Sequence, residues 1–174
     1  MSLSYNKTAR LLHWLMAFLI LSNLILAIFM DDAQKPLRST LFGVHISFGV
    51  MILTLIILRI IWTFTHKSPA MPETISPIEN KIAKGVQHLL YLLMFIVPMM
   101  GYLMINSKGF PVSFFHLFSM PVLMSKNPEL HELFENFHVI LGWTLGAFVL
   151  IHLAAAIKHK RANNGVFERM WPKK

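Results

Sequence analysis

Two histidines, His138 and His152, lie in the uncharged stretch FHVILGWTLGAFVLIHLAAA. Fourteen residues separate them, which in an α-helix puts both imidazoles within about 40° of one face and roughly 21 Å apart along the axis. The stretch is long and apolar enough to cross a bilayer, and an ionisable side chain at that depth is a functional candidate by default. The chain holds nine histidines and no cysteine. Disulfides, thiolate zinc sites, iron–sulfur clusters and the C-x-x-C-H attachment of c-type haem are thereby removed, and imidazole is left as the good nitrogen ligand. His131-Glu132 opens as H-E but lacks the second histidine of the zinc-protease pattern H-E-x-x-H, so that chemistry fails too.

The elements that must carry these rings are membrane helices. Of 174 residues, 55% are hydrophobic and 14% charged, and the mean hydropathy is +0.57, far from a soluble domain of this size. Four spans are expected, at about 11–30, 41–65, 85–105 and 133–157, forming one domain over 1–174 as an all-α four-helix bundle. The first span is too long for a signal peptide and has no small-x-small site before Asp31 and Asp32, so it is expected in the mature protein. Arg59, near the end of the second span, reads most simply as an anchor snorkelling to the interface, with pairing to a haem propionate as the alternative. Pro98 predicts a kink in the third helix rather than its end. Asn127 suits an N-cap and Pro128 the first helical position, so the fourth helix should start outside the membrane. Residues 66–84 read as an inner loop. Residues 110–124, with Phe114, Phe115 and Phe118, are expected as a lid or belt in the outer interface.

Charge fixes the orientation. The side carrying both termini holds Lys7, Arg10, Arg59, Lys67, Lys81, Lys84, Lys158, Lys160, Arg161, Arg169, Lys173 and Lys174, whereas the other holds only Lys35, Arg38, Lys108 and Lys126. The positive-inside rule then places both termini in the cytoplasm and accounts for most of the +8 net charge. Depth now sorts the histidines into two pairs, each shared with the fourth helix. His13 and His152 lie near the cytoplasmic ends of the first and fourth spans. His45 and His138 lie at matching depth near the outer ends of the second and fourth. Two imidazoles without carboxylate or thiolate are a poor zinc site but suit a six-coordinate haem b, one ring on each face of the iron, a closed arrangement for electron transfer. Gly49 and Gly142, one turn from His45 and His138, leave room for a flat macrocycle. Gly142 and Gly146 have an equal alternative as a small-x-x-x-small helix contact.

His13-Trp14 in LLHWLMAF, His45 in GVHISFGV, His88 in HLLYLLMFIVPMMGY and the His138–His152 helix ending in HLAAAIKHK together resemble the bacterial cytochrome b561 family over essentially the whole chain. The resemblance implies a four-helix inner-membrane protein with two haem b groups, one held by His13 and His152 on the cytoplasmic side, the other by His45 and His138 on the periplasmic side. It also implies a known activity of that family, superoxide oxidation at the periplasmic face with ubiquinone reduction.

Other side chains carry alternatives. His88 lies near the depth of His13 and His152 and reads as a replacement ligand, a quinone or propionate contact, or structural polarity. His159, seven residues beyond His152, is a candidate quinone or propionate contact or plain interfacial polarity. His131 is expected to be solvated, and His66 and His116 to be loop histidines. Arg10, Lys84 and Lys158 read equally as positive-inside residues or haem-edge contacts. The twelve methionines show no preferred depth and read as packing.

No flavin, nucleotide or iron–sulfur signature occurs, so the outer electron donor must be small or a separate protein. Superoxide:ubiquinone oxidoreduction is the first functional expectation, with Lys35, Arg38, Lys108 and Lys126 as the outer cations available to steer the anion. The alternative is a haem-bearing anchor subunit passing electrons between a partner dehydrogenase or hydrogenase and quinone. A haem-free structural or transport protein is a third reading, and no feature suggests nucleic acid as a partner.

Overall fold

The structure, a computed structural model, describes residues 4–171; Lys173 and Lys174, two of the cations used for orientation, lie outside the described residues. Four helices long and apolar enough to span a membrane make up most of it: α1 (Lys7–Phe29), α2 (Leu37–Thr65), α3 (Pro77–Ser107) and α4 (Pro128–Ala162). Each expected span falls within or nearly within one of them. At 1.5 Å per residue the 35 residues of α4 reach about 52 Å, well beyond a hydrocarbon core of about 30 Å, so its ends project from the membrane.

Side chains set the helix starts. Asn6 accepts from the Ala9 N–H at 2.9 Å, Ser76 from the Glu79 N–H at 3.2 Å and Asn127 from the Leu130 N–H at 3.1 Å, satisfying amides that have no intrahelical partner. Pro128 follows Asn127 as expected. The inner loop is shorter than expected: Pro77 is the first residue of α3 rather than loop punctuation, since proline's missing N–H costs nothing there. α3 runs on through Pro98. α4 ends on Asn163 in the left-handed region, with His159, Lys160 and Arg161 in its last turn, where cations complement the helix dipole.

Close backbone packing joins α1 to α2, α2 to α3 and α3 to α4, while α4 does not pack closely on α1 or α2. The core is built from Met16, Leu19 and Ile20 of α1, Ile52 and Ile56 of α2, and Leu90, Leu93, Met94 and Val97 of α3, with Leu145 the one buried residue of α4. Large apolar side chains such as Phe18, Leu92, Ile140, Trp143 and Leu150 are exposed on the bundle, which suits helices solvated by lipid.

Between α3 and α4 a two-stranded hairpin, β1 (Ser113–Phe114) with β2 (Phe118–Ser119), pairs Ser113 with Ser119 and Phe114 with Phe118. It is pinned to α2: the Phe115 N–H donates to the buried Ser47 Oγ at 2.8 Å, and the Phe115 ring meets Phe48 edge-on at 6.1 Å. The expected lid is thus a folded cap over the α2 end that carries His45. At the opposite end the segments that precede α1 and follow α4 meet. The Tyr5 N–H donates to the Arg169 carbonyl at 3.0 Å, Trp14 Nε1 to the Met170 carbonyl at 3.2 Å, and the Trp14 and Trp171 rings meet edge-on at 5.1 Å.

Candidate functional site

The gap between α4 and its neighbours α1 and α2 is bridged by histidines. The His13 and His152 rings meet across it with centroids 6.1 Å apart and planes at 79°, and His45 and His138 do so at 6.0 Å and 86°. These are the two pairs expected from depth. Metal–imidazole bonds of about 2.0 Å and ring radii of roughly 1.1 Å put two axial imidazoles about 6 Å apart by centroid, so each pair has the reach to bracket one metal ion. Among the described residues no three His, Asp or Glu side chains converge on a common point, which leaves no cage of the zinc kind.

The surroundings of the His45–His138 pair leave room for a flat macrocycle. A Cβ built on Gly49 or on Gly142 would meet nothing within 4 Å, so one turn from His45 and from His138 the helices face open space. Gly146 differs: its Cβ would lie 3.7 Å from Leu24 Cδ2 of α1. Of the two glycines offered for a helix contact, Gly146 faces the Leu24 side chain of α1 and Gly142 faces open space.

Second-sphere contacts orient the rings. His138 Nδ1 lies 2.9 Å from the Val97 carbonyl. A carbonyl only accepts, so Nδ1 carries the proton and Nε2 keeps the lone pair needed for a metal. Gly101, one turn after Val97, is where the ring rests: a Cβ there would lie 2.9 Å from His138 Cε1 and 3.0 Å from Nδ1. His45 Nδ1 is buried with no hydrogen-bond partner among the described residues. His13 differs from both. Its Nδ1 lies 3.2 Å from Arg59 Nη1, and a guanidinium only donates, so this nitrogen accepts and the proton sits on Nε2; for His13 to hold a metal through Nε2 that proton must move to Nδ1 and Arg59 must turn from it.

Arg59 therefore departs from its simplest expectation. It does not snorkel outward; half-buried, it turns inward, donating from Nε to the Tyr91 hydroxyl at 2.8 Å, with its guanidinium carbon 5.4 Å from that ring's centroid and Nη1 4.0 Å from Met16 Sδ. Tyr91, Gly101 and the Val97 carbonyl were missed as site elements. The available signal was depth: Tyr91 lies opposite Arg59, and Gly101 opposite His138, on antiparallel helices.

The remaining histidines divide. His88 is exposed on α3 and makes no hydrogen bond, ion pair or ring contact with the described residues, so it is not brought to the His13–His152 pair. His159 is half-buried, its Nδ1 2.9 Å from Asn164 Nδ2. His131 is not solvated as expected, because Nδ1 reaches the Met104 carbonyl at 3.0 Å and Nε2 reaches Glu135 at 3.3 Å. His66 stacks on Trp62 at 3.7 Å and His116 is exposed beside the hairpin, both outside the helices. Lys158 pairs with Glu79 at 2.6 Å on the surface rather than turning toward the histidines.

The sequence profile of the family described as prokaryotic cytochrome b561 matches residues 4–173. Cytochrome b561 homolog 2 of Escherichia coli (strain K12) is 24% identical over 160 residues, 89% of this chain and 84% of that protein. The probable superoxide oxidase CybB of Yersinia pestis is 27% identical over 168 residues, 94% and 93% of the two chains. Cytochrome b562 of Cereibacter sphaeroides is 34% identical over 103 residues, 56% of this chain and 63% of its own. With a family match over nearly its whole length, four membrane-spanning helices and facing histidines between them, the chain belongs to the prokaryotic cytochrome b561 family, the haem-bearing, electron-transferring oxidoreductases of the membrane.

Proposed function

We propose that this protein carries two haem b groups, His13 and His152 bracketing one and His45 and His138 the other, and moves electrons between the two faces of the inner membrane. The observation that carries this reading is the pair of facing imidazoles at each end of the gap beside α4. Each haem, held by two imidazoles, would supply a one-electron couple. The protein's own part is to hold the rings. The Val97 carbonyl fixes the His138 tautomer, Gly49 and Gly142 leave the flat space, and the hairpin is pinned to the α2 end that carries His45. Both termini are assigned to the cytoplasm on the lysine and arginine bias.

The donor we assign is superoxide at the periplasmic face and the acceptor ubiquinone. Two superoxide anions give up one electron each and leave as dioxygen, and one ubiquinone takes two electrons and two protons to become ubiquinol. Similarity along almost the full length to a probable superoxide oxidase supports the donor. On the outer side Arg38 is paired with Asp31 at 3.6 Å, whereas Lys35, Lys108 and Lys126 make no ion pair with any described residue and remain to attract an anion. On the cytoplasmic side His159 and His88 are the candidate contacts for quinone or for haem propionates.

Superoxide generated beside the oxidised, purified protein with ubiquinone present should reduce the haem and form ubiquinol. Reduction no faster than in a His138→Ala protein would overturn the donor assignment.

A further inference from the structure

The hairpin leans on the outward face of α2. Besides its contact with the Phe48 ring, it meets that helix at Ser47, which accepts the Phe115 N–H at 2.8 Å, and at Gly43, where a Cβ would lie 3.7 Å from His116 Nε2. By helix geometry Gly43 and Ser47 share a stripe with Thr54, Leu58 and Ile61, all within about 40° of Ser47 and roughly 140–180° from Ile52 and Ile56. Ile52 and Ile56 are buried, whereas Thr54, Leu58 and Ile61 are exposed, so further down the helix this stripe faces lipid. Ser47 lies 18 residues before Thr65, the last residue of α2. That is about 27 Å of helix, close to the thickness of a hydrocarbon core of about 30 Å. With Thr65 at one boundary of the core, the hairpin turn is level with the other.

The chemistry of the segment matches that place. Between Lys108 and Lys126 there is no Asp, Glu, Lys or Arg, and Leu117 and Phe118 are 76% and 53% exposed. The turn closes with the Leu117 N–H donating to the Phe114 carbonyl at 2.9 Å. Its central residues, Phe115 at φ 46° and His116 at φ 60°, both lie in the left-handed region. A hairpin turn of this shape is the usual place for Asn-Gly. Keeping Phe-His there, followed by Leu and Phe, costs conformational energy, and such strain points to a demand on what the turn presents. We infer that the hairpin is a lipid-contacting element: the turn at 115–118 inserts beside α2 into the leaflet that holds the His45–His138 pair, with Leu117 and Phe118 against acyl chains. The strand edges stay at headgroup level, where water meets their free backbone groups. A soluble partner cannot then dock on this surface.

The chain has no cysteine, so single cysteines test this cleanly, and both side chains are exposed, so the variants should fold as the wild type does. The full chain is placed in nanodiscs of phosphatidylethanolamine and phosphatidylglycerol, open to reagent from both faces. Leu117→Cys and Phe118→Cys should react with a charged maleimide at least about tenfold more slowly than Lys126→Cys, because a charged reagent is excluded from the acyl region. The three rates should converge once dodecyl sulfate dissolves the disc. Equal rates in the intact disc would overturn the inference. A benzophenone-bearing amino acid in place of Leu117, irradiated in vesicles of the same lipids, identifies what covers the turn. A gain of one phospholipid mass is the expected product; a crosslink between two copies of the chain, or no adduct, would overturn the inference.

Discussion

Gly101→Ala isolates the packing that holds one ligand. The new methyl would lie 2.9 Å from His138 Cε1 and 3.0 Å from Nδ1, so the ring must withdraw by about 0.5 Å to reach ordinary contact. It cannot do so freely, because Nδ1 is bonded to the Val97 carbonyl at 2.9 Å, one turn earlier on α3. Losing that hydrogen bond costs about 1 kcal/mol, and an off-rotamer ring costs about another. Together these are about 2 kcal/mol, a roughly thirtyfold weaker hold on whatever His138 binds. The helix itself gains, since alanine is favoured over glycine in a helix interior by roughly 0.5–1 kcal/mol, so the variant should fold. The assay is haem per chain at limiting haem, followed by the rate of haem loss to an excess of an acceptor protein. One haem should dissociate about thirtyfold faster while the other is retained as in the wild type. Equal retention of both would refute the proposed seat of the His138 ring.

Gly49→Ala and Gly142→Ala should have the opposite profile, because a Cβ at either position meets nothing within 4 Å beyond its own stretch of helix backbone. The haem-free protein should be as stable as the wild type or more so, and only haem binding should weaken; a loss of thermal stability without haem would contradict the assignment of that space to a cofactor. Ser47→Ala removes the acceptor of the Phe115 N–H and should cost about 1 kcal/mol, seen as faster amide exchange confined to the hairpin at 113–119. Glu79→Gln breaks the exposed pair with Lys158 and should leave thermal stability essentially unchanged, measurable as a melting-temperature shift near zero.

Depth along the membrane normal is a linear quantity, which is why it was legible. Counting residues from the flanking charges gave the four spans and placed His13 level with His152 and His45 level with His138, and the rings do meet. Rotation about each helix axis is set by partners on other helices and did not follow from the count. Arg59 has the same depth whether it snorkels or turns inward, and Tyr91, 32 residues away, decides it. Likewise His131 was expected in solvent because it lies beyond the membrane, yet a carbonyl of α3 and Glu135 one turn along α4 hold it. The early start of α3 was readable, since Ser76 three residues before Glu79 is a capping signature. Gly142 and Gly146 look alike as a small-x-x-x-small pair, and only the position of the Leu24 side chain distinguishes their surroundings.

The central claim is that two haem b groups are held by His13 with His152 and by His45 with His138. Haem per chain and the reduced-minus-oxidised spectrum of the purified protein, compared with the four single His→Ala variants, test it most directly. The account predicts two b-type haems in the wild-type protein and the loss of one in each variant, the same one for His13→Ala and His152→Ala and the other for His45→Ala and His138→Ala. A protein without haem, or a haem that survives all four substitutions, would contradict it.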